Sequence, residues 1–256
     1  MKRARLIPLV EEAWEAYECA GTRVRSSMPI LFFGDLDAYF KSSFRVVTVG
    51  KNPSREEFPK GSSWKRFPKC EGVTAADSAR YLKGLCSYFH VDPYNKWFRF
   101  YDTVLCGAGA GYYPGERSTA LHTDIASPVA TDPTWKDLNE SKQKALLGKG
   151  VPLWHKLLKR LKPQMVLLSI KWKHLERIEF PAWNDWRTIH EFKRKKNGEQ
   201  RKHPYEVKVR WHKIMGNPSL FVFGQAAEIP FGTLSNQLKR RVGEIAREAF
   251  DKGPES

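Results

Sequence analysis

The sequence has no long apolar run. No apolar run approaches the roughly 18 residues that a membrane-spanning helix requires. Residues 1–5 are basic, but the apolar stretch that follows at 6–10 is too short for the core of a signal peptide and runs into Glu11 and Glu12. We therefore expect a soluble, cytoplasmic protein with no membrane partner.

Cysteine is also scarce, and no Cys-x-x-Cys pair occurs. The four cysteines are Cys19, Cys70, Cys86 and Cys106. In a reducing compartment this pattern argues against a disulfide framework. A four-cysteine iron–sulfur cluster stays open as an alternative, although the clustered spacing typical of such sites is missing. Buried free thiols fit the pattern better.

Acidic residues are too few to balance the basic ones. The chain carries 44 Lys and Arg against 28 Asp and Glu, a formal net charge of +16. Such an excess points to a polyanionic partner, most simply nucleic acid, with a membrane surface as the competing reading. A length of 256 residues suffices for one large domain with a full core.

Hydrophobic periodicity predicts alternating strands and helices. The predicted helices span 9–20, 74–89, 93–105, 138–161 and 233–250. The predicted strands span 44–49, 120–126, 165–170, 186–192, 205–211 and 213–216. We interpret this order as an α/β protein, a three-layer α/β/α sandwich around a four-stranded parallel sheet. A basic β-hairpin is inserted at about 173–212, residues 1–250 form a single domain, and 251–256 form a flexible tail.

The most informative stretch is the strand at 44–49 and the loop after it. The β-branched run ends abruptly at Gly50-Lys51-Asn52-Pro53-Ser54. In open α/β sheets, ligands bind at the carboxyl ends of strands. Gly50 permits close approach of the backbone to a ligand, and Pro53 restricts the turn, which would hold Asn52 at the mouth of a cleft. An ordinary strand-to-loop corner is the alternative.

Three short motifs occur in order at predicted strand ends. They are residues 50–54, then Thr123-Asp124-Ile125, then Asn217-Pro218-Ser219. Together they resemble motifs of the uracil-DNA glycosylase superfamily, and most closely those of the mismatch-specific uracil glycosylases. The resemblance spans about 44–235 and implies a monofunctional DNA glycosylase that needs neither metal nor cofactor. It also implies DNA as the partner, and we expect a monomer.

The resemblance implies a role for each matching residue. Asn52 would orient the attacking water, and Asn217 would stabilise the departing base. The base-binding residues would be Gly50, Lys51, Ser54, Asp124 and one of two aromatics, Trp64 or Phe67, with Phe67 preferred. The DNA-binding residues would be Ser219 on a phosphate, an apolar wedge drawn from Leu220, Phe221 and Phe223, and the basic run Lys193, Arg194 and Lys195. The segment 224–228 is a further candidate for contact with the DNA or the base, or else the lead-in to the last helix.

Two departures from the family pattern bear on the base. Asp124 stands where the family has Asn, and a carboxylate accepts from the N4 amino group of cytosine but repels O4 of uracil. Ser54 replaces a bulky Tyr that blocks groups on C5. We therefore expect a C5-modified cytosine, for example glucosylated hydroxymethylcytosine in phage DNA, and a role in antiviral defence. Uracil excision remains an alternative, as does a shifted alignment in which Asp124 is a helix cap or a surface carboxylate.

Two rival functions stay open. One is a metal-dependent nuclease, which could use a loose pattern of acidic residues followed by a lysine, formed by Asp132, Asp185, Glu191 and Lys193. A metal site that includes His122, Asp124 and Asp132 is a further alternative, although local packing of His122 is the simpler reading. The other rival is a non-catalytic module that binds a modified base.

Overall fold

The computed structural model describes residues 3–113, 118–195, 197–226 and 229–254. Within these residues the α-helices are α1 Ile7–Glu18, α2 Leu36–Lys41, α3 Ser78–Cys86, α4 Tyr88–Val91, α5 Asn95–Gly107, α6 Glu140–Leu161 and α7 Asn236–Lys252. The strands are β1 Val46–Gly50, β2 Leu121–Asp124, β3 Met165–Leu168, β4 Arg187–Arg194, β5 Gln200–Ile214 and β6 Asn217–Gly224. The α/β class is therefore confirmed.

The sheet is larger than predicted and mixed. In the described part of the chain it has six strands in the order β2-β1-β3-β6-β5-β4. Strands β1, β3 and β6 are parallel, whereas β5 pairs antiparallel with both β6 and β4. The predicted four-stranded parallel sheet is therefore corrected, because the hairpin β4–β5 extends the same sheet. The three-layer arrangement stays a prediction.

The chain divides into two compact units, which are described separately. The first comprises the residues up to Lys41, Gly50–Tyr94 and Leu121–Leu161, and the second comprises Ser42–Val49, Asn95–Ala120 and the residues from Lys162 onwards. In the first unit, α6 supports β2 through the Trp154 indole, which donates to Thr123 Oγ1 at 3.1 Å.

In the second unit, the parallel strands form the interior. Residues Val46–Val49 and the whole of β3 are buried, as expected for strands covered on both faces. Tyr101 of helix α5 connects the carboxyl ends of β1 and β3 by hydrogen bonds. The Tyr101 hydroxyl donates to the Val49 carbonyl at 2.6 Å and accepts from the Ser169 amide at 2.7 Å. This end of the sheet is thereby fixed.

The last two strands differ most from the prediction. The sequence pattern predicts a strand at 213–216 that leads out of the sheet at Asn217. Instead β5 runs to Ile214, the chain turns at Met215 and Gly216, and β6 begins at Asn217. Both turn residues have positive φ, 51° and 81°, as a two-residue hairpin turn requires. The polar Asn217-Pro218-Ser219 segment is therefore part of a strand.

The chain ends and the cysteines bring smaller corrections. Helix α7 continues to Lys252, so the tail predicted from 251 begins at Gly253 in the described residues, and residues 255 and 256 lie outside them. The four thiols are free, but only Cys70 and Cys86 are buried, whereas Cys19 and Cys106 are exposed. No helix in the described ranges is both long and apolar enough to cross a membrane.

Candidate functional site at the end of strand β1

The loop after β1 is tied to the segment after β2 within the first unit. The Gly50 carbonyl accepts from the Ile125 amide at 3.0 Å, and the Lys51 carbonyl accepts from the Ala126 amide at 2.8 Å. Asn52 is half-buried, and its Nδ2 donates to the Pro53 carbonyl at 3.0 Å. These bonds fix the backbone on which Asn52 sits and orient its amide.

Gly50 lies directly beneath two side chains of β2. A Cβ atom added at Gly50 would overlap Asp124 Oδ1 and would lie 3.0 Å from His122 Nε2. These neighbouring side chains of the protein itself require glycine at this position, and close approach of Gly50 to a ligand stays a prediction.

Asp124 and His122 share one face of β2, because alternate residues of a strand point the same way. The carboxylate Oδ1 lies 3.7 Å from His122 Nε2, and the two side chains are only 4% and 2% exposed. The reading of Asp124 as a surface carboxylate is therefore wrong. The Phe33 ring packs beside His122, with the two ring centroids 5.5 Å apart.

A buried carboxyl that the sequence analysis missed lies in the loop that follows. Glu57 is 2% exposed, and its Oε2 accepts from the Tyr88 hydroxyl at 2.6 Å. Burial raises the pKa of Glu57 to about 8, and the charge of Asp124 adds to the rise, whereas the Tyr88 hydrogen bond and the Arg66 guanidinium, 3.9 Å away, lower it. Glu57 follows Glu56 in a polar stretch, so no local pattern distinguishes it from an exposed acid.

Aromatic rings fill the space around this loop. Phe67 is fully buried, stacked on Phe58 with centroids 5.6 Å apart and 5.2 Å from Tyr88. It presents no surface to solvent, so the preference for Phe67 as an open stacking ring is not supported. Trp64 is partly exposed and meets Phe58 edge-on at 5.9 Å. Of the two predicted aromatics, Trp64 is the accessible one.

The remaining predicted residues of this loop have local partners. Ser54 Oγ accepts from the Glu56 amide at 3.1 Å and so caps a short 3₁₀ turn. Lys51 is half-buried, with Nζ 5.5 Å from the centroid of the Trp135 ring. Five of the predicted site residues thus belong to the first unit: Gly50, Lys51, Asn52, Ser54 and Asp124. Of these, Gly50 and Asp124 are shown to lie in close proximity.

The third motif, Asn217-Pro218-Ser219, lies at the amino end of β6, whereas it was predicted to follow the carboxyl end of a strand. Met165 of β3 pairs with Leu220, and Leu168 pairs with Phe223, so Asn217 precedes the amino end of the paired segment. Its Nδ2 donates to the Met215 carbonyl at 3.2 Å. The position expected for the motif, after the carboxyl end of β6, is occupied by Gln225 and Ala226, while Ala227 and Glu228 lie outside the described residues.

The residues after Asn217 are buried within the sheet. Ser219, Leu220 and Phe221 are fully buried, and Phe223 is 4% exposed. The expected roles of Ser219 as a phosphate contact and of Leu220 and Phe221 as an apolar wedge are therefore wrong, because none of these three residues has exposed surface. Phe223 lines a cleft at the carboxyl end of β6, and its role as a wedge stays a prediction.

The basic hairpin presents its charges to solvent. Lys193 and Lys195 are 68% and 52% exposed at the side chain. Lys195 Nζ pairs with Glu199 at 2.9 Å, and the Arg194 guanidinium donates to the Gly198 carbonyl at 3.0 Å. Exposed ion pairs of this kind are weak and can exchange partners.

The acidic side chains of the rival nuclease pattern are all exposed to solvent. Asp185 is fully exposed, Glu191 is exposed, and Asp132 pairs with Arg55 at 3.1 Å. Among the residues that the structure describes, no group of three or more His, Cys, Asp and Glu is arranged to hold a metal ion. No protein-family model matches the sequence. No curated protein matches it either.

Proposed function

We propose that the protein is a DNA glycosylase that hydrolyses the N-glycosidic bond of a pyrimidine, with a C5-modified cytosine as the favoured base. The observation that carries the proposal is the enclosed Asp124 carboxylate, 4% exposed and held over Gly50 at the end of β1, with Asn52 two residues along the same loop. In this arrangement the Asp124 carboxylate can accept a hydrogen bond from the edge of a base, and the Asn52 amide nearby in the loop can hold a water molecule.

The chemistry of base excision suits such a site. The base must leave the stack before its glycosidic bond is accessible. As the bond breaks, the sugar becomes cationic and the base anionic, so catalysis depends on dipoles placed where charge develops. The Asn52 amide can hold a water by its carbonyl oxygen, which suffices for attack on a strongly electrophilic sugar cation. This role for Asn52 needs no metal ion.

Recognition of cytosine follows from the donor pattern of its edge. A carboxylate accepts from the N4 amino group, whereas O4 of uracil would face a like-charged acceptor. A wrong base that leaves a buried polar group mispaired is disfavoured by roughly 10⁴-fold. Ser54 is small, which favours room for a substituent on C5, and glucosylated hydroxymethylcytosine of phage DNA is the example we propose, with antiviral defence as the role.

The direct test is release of free base. Oligonucleotides that carry uracil, cytosine, hydroxymethylcytosine or glucosylated hydroxymethylcytosine are incubated with the protein, and the free base is identified by mass spectrometry. We expect release of the modified cytosine, unaffected by a chelator. Release of uracil alone would favour the alternative base, strand scission that a chelator abolishes would favour a nuclease, and binding without release would favour a recognition module.

Two substitutions test the assigned roles. Asn52→Ala should lower the rate of release by at least about 100-fold while DNA affinity is retained, because a positioned catalytic group is lost. Asn236→Ala, at an exposed position at the start of α7, is the matched control and should leave the rate unchanged. Asp124→Asn should shift the ratio of rates toward uracil, and an unchanged ratio would contradict the reading of Asp124.

A further inference from the structure

A cleft of about 400 Å³ lies in the second unit, at the carboxyl end of β6. Its lining includes the aromatic side chains of Trp172, Tyr205 and Phe223, the amide of Gln225, and one residue of each charge, Lys208 and Glu206. Its volume lies within the range typical of small-ligand sites. The base-excision site proposed in the first unit contains none of these residues, although Phe223 and the segment 224–228 are candidates for DNA contact in the sequence.

Trp172 is the prominent ring of this cleft. It is 43% exposed, although most large apolar side chains of the chain are buried. Its ring is held edge-on by Phe223 at 5.3 Å between centroids and contacted by Trp186 at 6.2 Å. A ring that is anchored by other aromatics and still exposed loses little side-chain entropy when a planar ligand stacks on it.

One lysine lies against the ring, and an arginine is bonded to a residue of the cleft. Lys208 Nζ lies 5.4 Å from the centroid of the Trp172 ring, and it pairs with Glu206 at 3.2 Å. The Arg201 guanidinium donates to the Thr233 carbonyl at 2.8 Å and to its hydroxyl at 3.2 Å, and Thr233 lines the cleft. The sequence from the first residue of β4 to the last residue of β5, 187–214, contains ten Lys and Arg but only three Glu. The surroundings of the cleft therefore favour an anion.

We propose that this cleft binds an unpaired nucleobase of a DNA strand, which stacks on Trp172 while the neighbouring phosphates contact Lys208 and the basic hairpin. An aromatic platform beside a positive groove is the general arrangement by which proteins hold single-stranded nucleic acid. An apolar peptide would use the rings but not the surrounding charge, and a free anion would use the charge but not the rings. The exposed Gln225 amide supplies a donor and an acceptor at the edge of the base.

The test separates stacking from charge. The affinity of the full-length protein for a fluorescein-labelled oligothymidylate of 12 nucleotides is measured by anisotropy and compared with its affinity for an abasic strand of the same length and charge. Trp172→Ala should weaken binding of the thymidylate strand by at least about fivefold, since stacking contributes roughly 1–3 kcal/mol per base. Binding of the abasic strand should not change, and Trp172→Phe should restore most of the affinity.

Trp183→Ala is the matched control. Trp183 is also 43% exposed and also has a lysine above its ring, with Lys213 Nζ 4.4 Å from the centroid, but it does not line the cleft. The affinity of the Trp183→Ala variant for each strand should lie within twofold of that of the unaltered protein. The proposal is overturned if Trp172→Ala binds the thymidylate strand normally, if it weakens both strands equally, or if Trp183→Ala has the same effect. Failure to release any base would leave this result untouched, so the two proposals are tested separately.

Discussion

Burial makes Glu57 a group whose charge should control stability. Its pKa is raised to about 8 in the folded protein, against 4.5 for an unperturbed glutamic acid in the unfolded chain. Folding therefore takes up a proton between these two values, and the stabilisation is complete below pH 4.5 and is lost as the pH rises through 8. We predict that the free energy of unfolding falls over this window with a slope of up to about 1.4 kcal/mol per pH unit from this group.

Urea unfolding of two variants between pH 5 and pH 9 measures this contribution. Glu57→Gln keeps the shape and an acceptor for the Tyr88 hydroxyl but cannot ionise, so its stability should lack that part of the slope. Glu56→Gln changes the exposed neighbour and should keep the slope of the unaltered protein. Equal slopes in the unaltered protein and in Glu57→Gln would show that Glu57 does not titrate in this range.

A second residue-scale prediction concerns Gly50. In Gly50→Ala the new methyl group would overlap Asp124 Oδ1 and lie 3.0 Å from His122 Nε2, so the carboxylate or the strand end must move. We expect a loss of about 1–3 kcal/mol in the free energy of unfolding, as for other overpacked interior sites. Thermal and urea unfolding provide the measurement, and loss of base release should accompany the change if the proposed function holds.

Gly148→Ala is the control for the loss of a glycine. Gly148 lies within α6, and a methyl group added there would meet no atom of another part of the described structure within 4 Å. Alanine should therefore stabilise the helix by about 0.5–1 kcal/mol. If both alanine variants were equally stable, the close approach of Asp124 to Gly50 would be refuted.

At the residue scale, the sequence could indicate some neighbours but not others. The sequence places Gly50 just after the predicted strand 44–49 and Asp124 near the end of the predicted strand 120–126. This favours one edge of a sheet for both, and these two residues do lie together. Glu57 was not predictable, because its burial depends on Tyr88 and Arg66, which come 31 and 9 positions later. Burial by distant parts of the chain leaves no trace in local composition.

At the scale of elements, the turn between β5 and β6 gives a third prediction. Met215 is 63% exposed and has φ of 51°, a conformation that side chains other than Asn, Asp and Gly disfavour. Met215→Asn creates the Asn-Gly pair preferred in such turns and should stabilise the protein by about 0.5–1 kcal/mol. Met215→Leu keeps the same conformational preference and should be neutral. Urea unfolding distinguishes them, and no gain with Asn would argue against this turn.

The same turn explains why the position of the third motif was predicted wrongly from the sequence. Helices such as α1 and α6 were predicted within about two residues because their apolar period continues over several turns. Strand β6 was missed because Asn217-Pro218-Ser219 has the composition of a loop, while Met in place of Asn before Gly216 conceals the hairpin signal. Because this strand was missed, five residues proposed for the site lie in the sheet: Asn217, Ser219, Leu220, Phe221 and Phe223.

At the scale of the whole molecule, the net charge of +16 is concentrated partly on β4, β5 and the turn between them. Long-range attraction from such a surface is independent of base sequence and is screened by salt. For the proposed DNA partner, the hairpin residues Lys193, Arg194 and Lys195 should therefore act on affinity without altering which base is selected. That separates them from Asp124, whose change should alter the choice of base.

The last prediction uses salt to count these contacts. Replacing Lys193, Arg194 and Lys195 together by Gln should weaken duplex binding and make the slope of log affinity against log salt shallower by about 2–3, since each lost phosphate contact contributes roughly 0.9. A variant with Gln at Lys136, Lys142 and Lys144, which are exposed in the first unit, removes the same charge. If the hairpin itself contacts the phosphates, this second variant should change the slope by less than about 1, because delocalised charge alone releases few counterions. Equal slopes for the two variants would mean that net charge, and not the hairpin, determines the affinity for DNA.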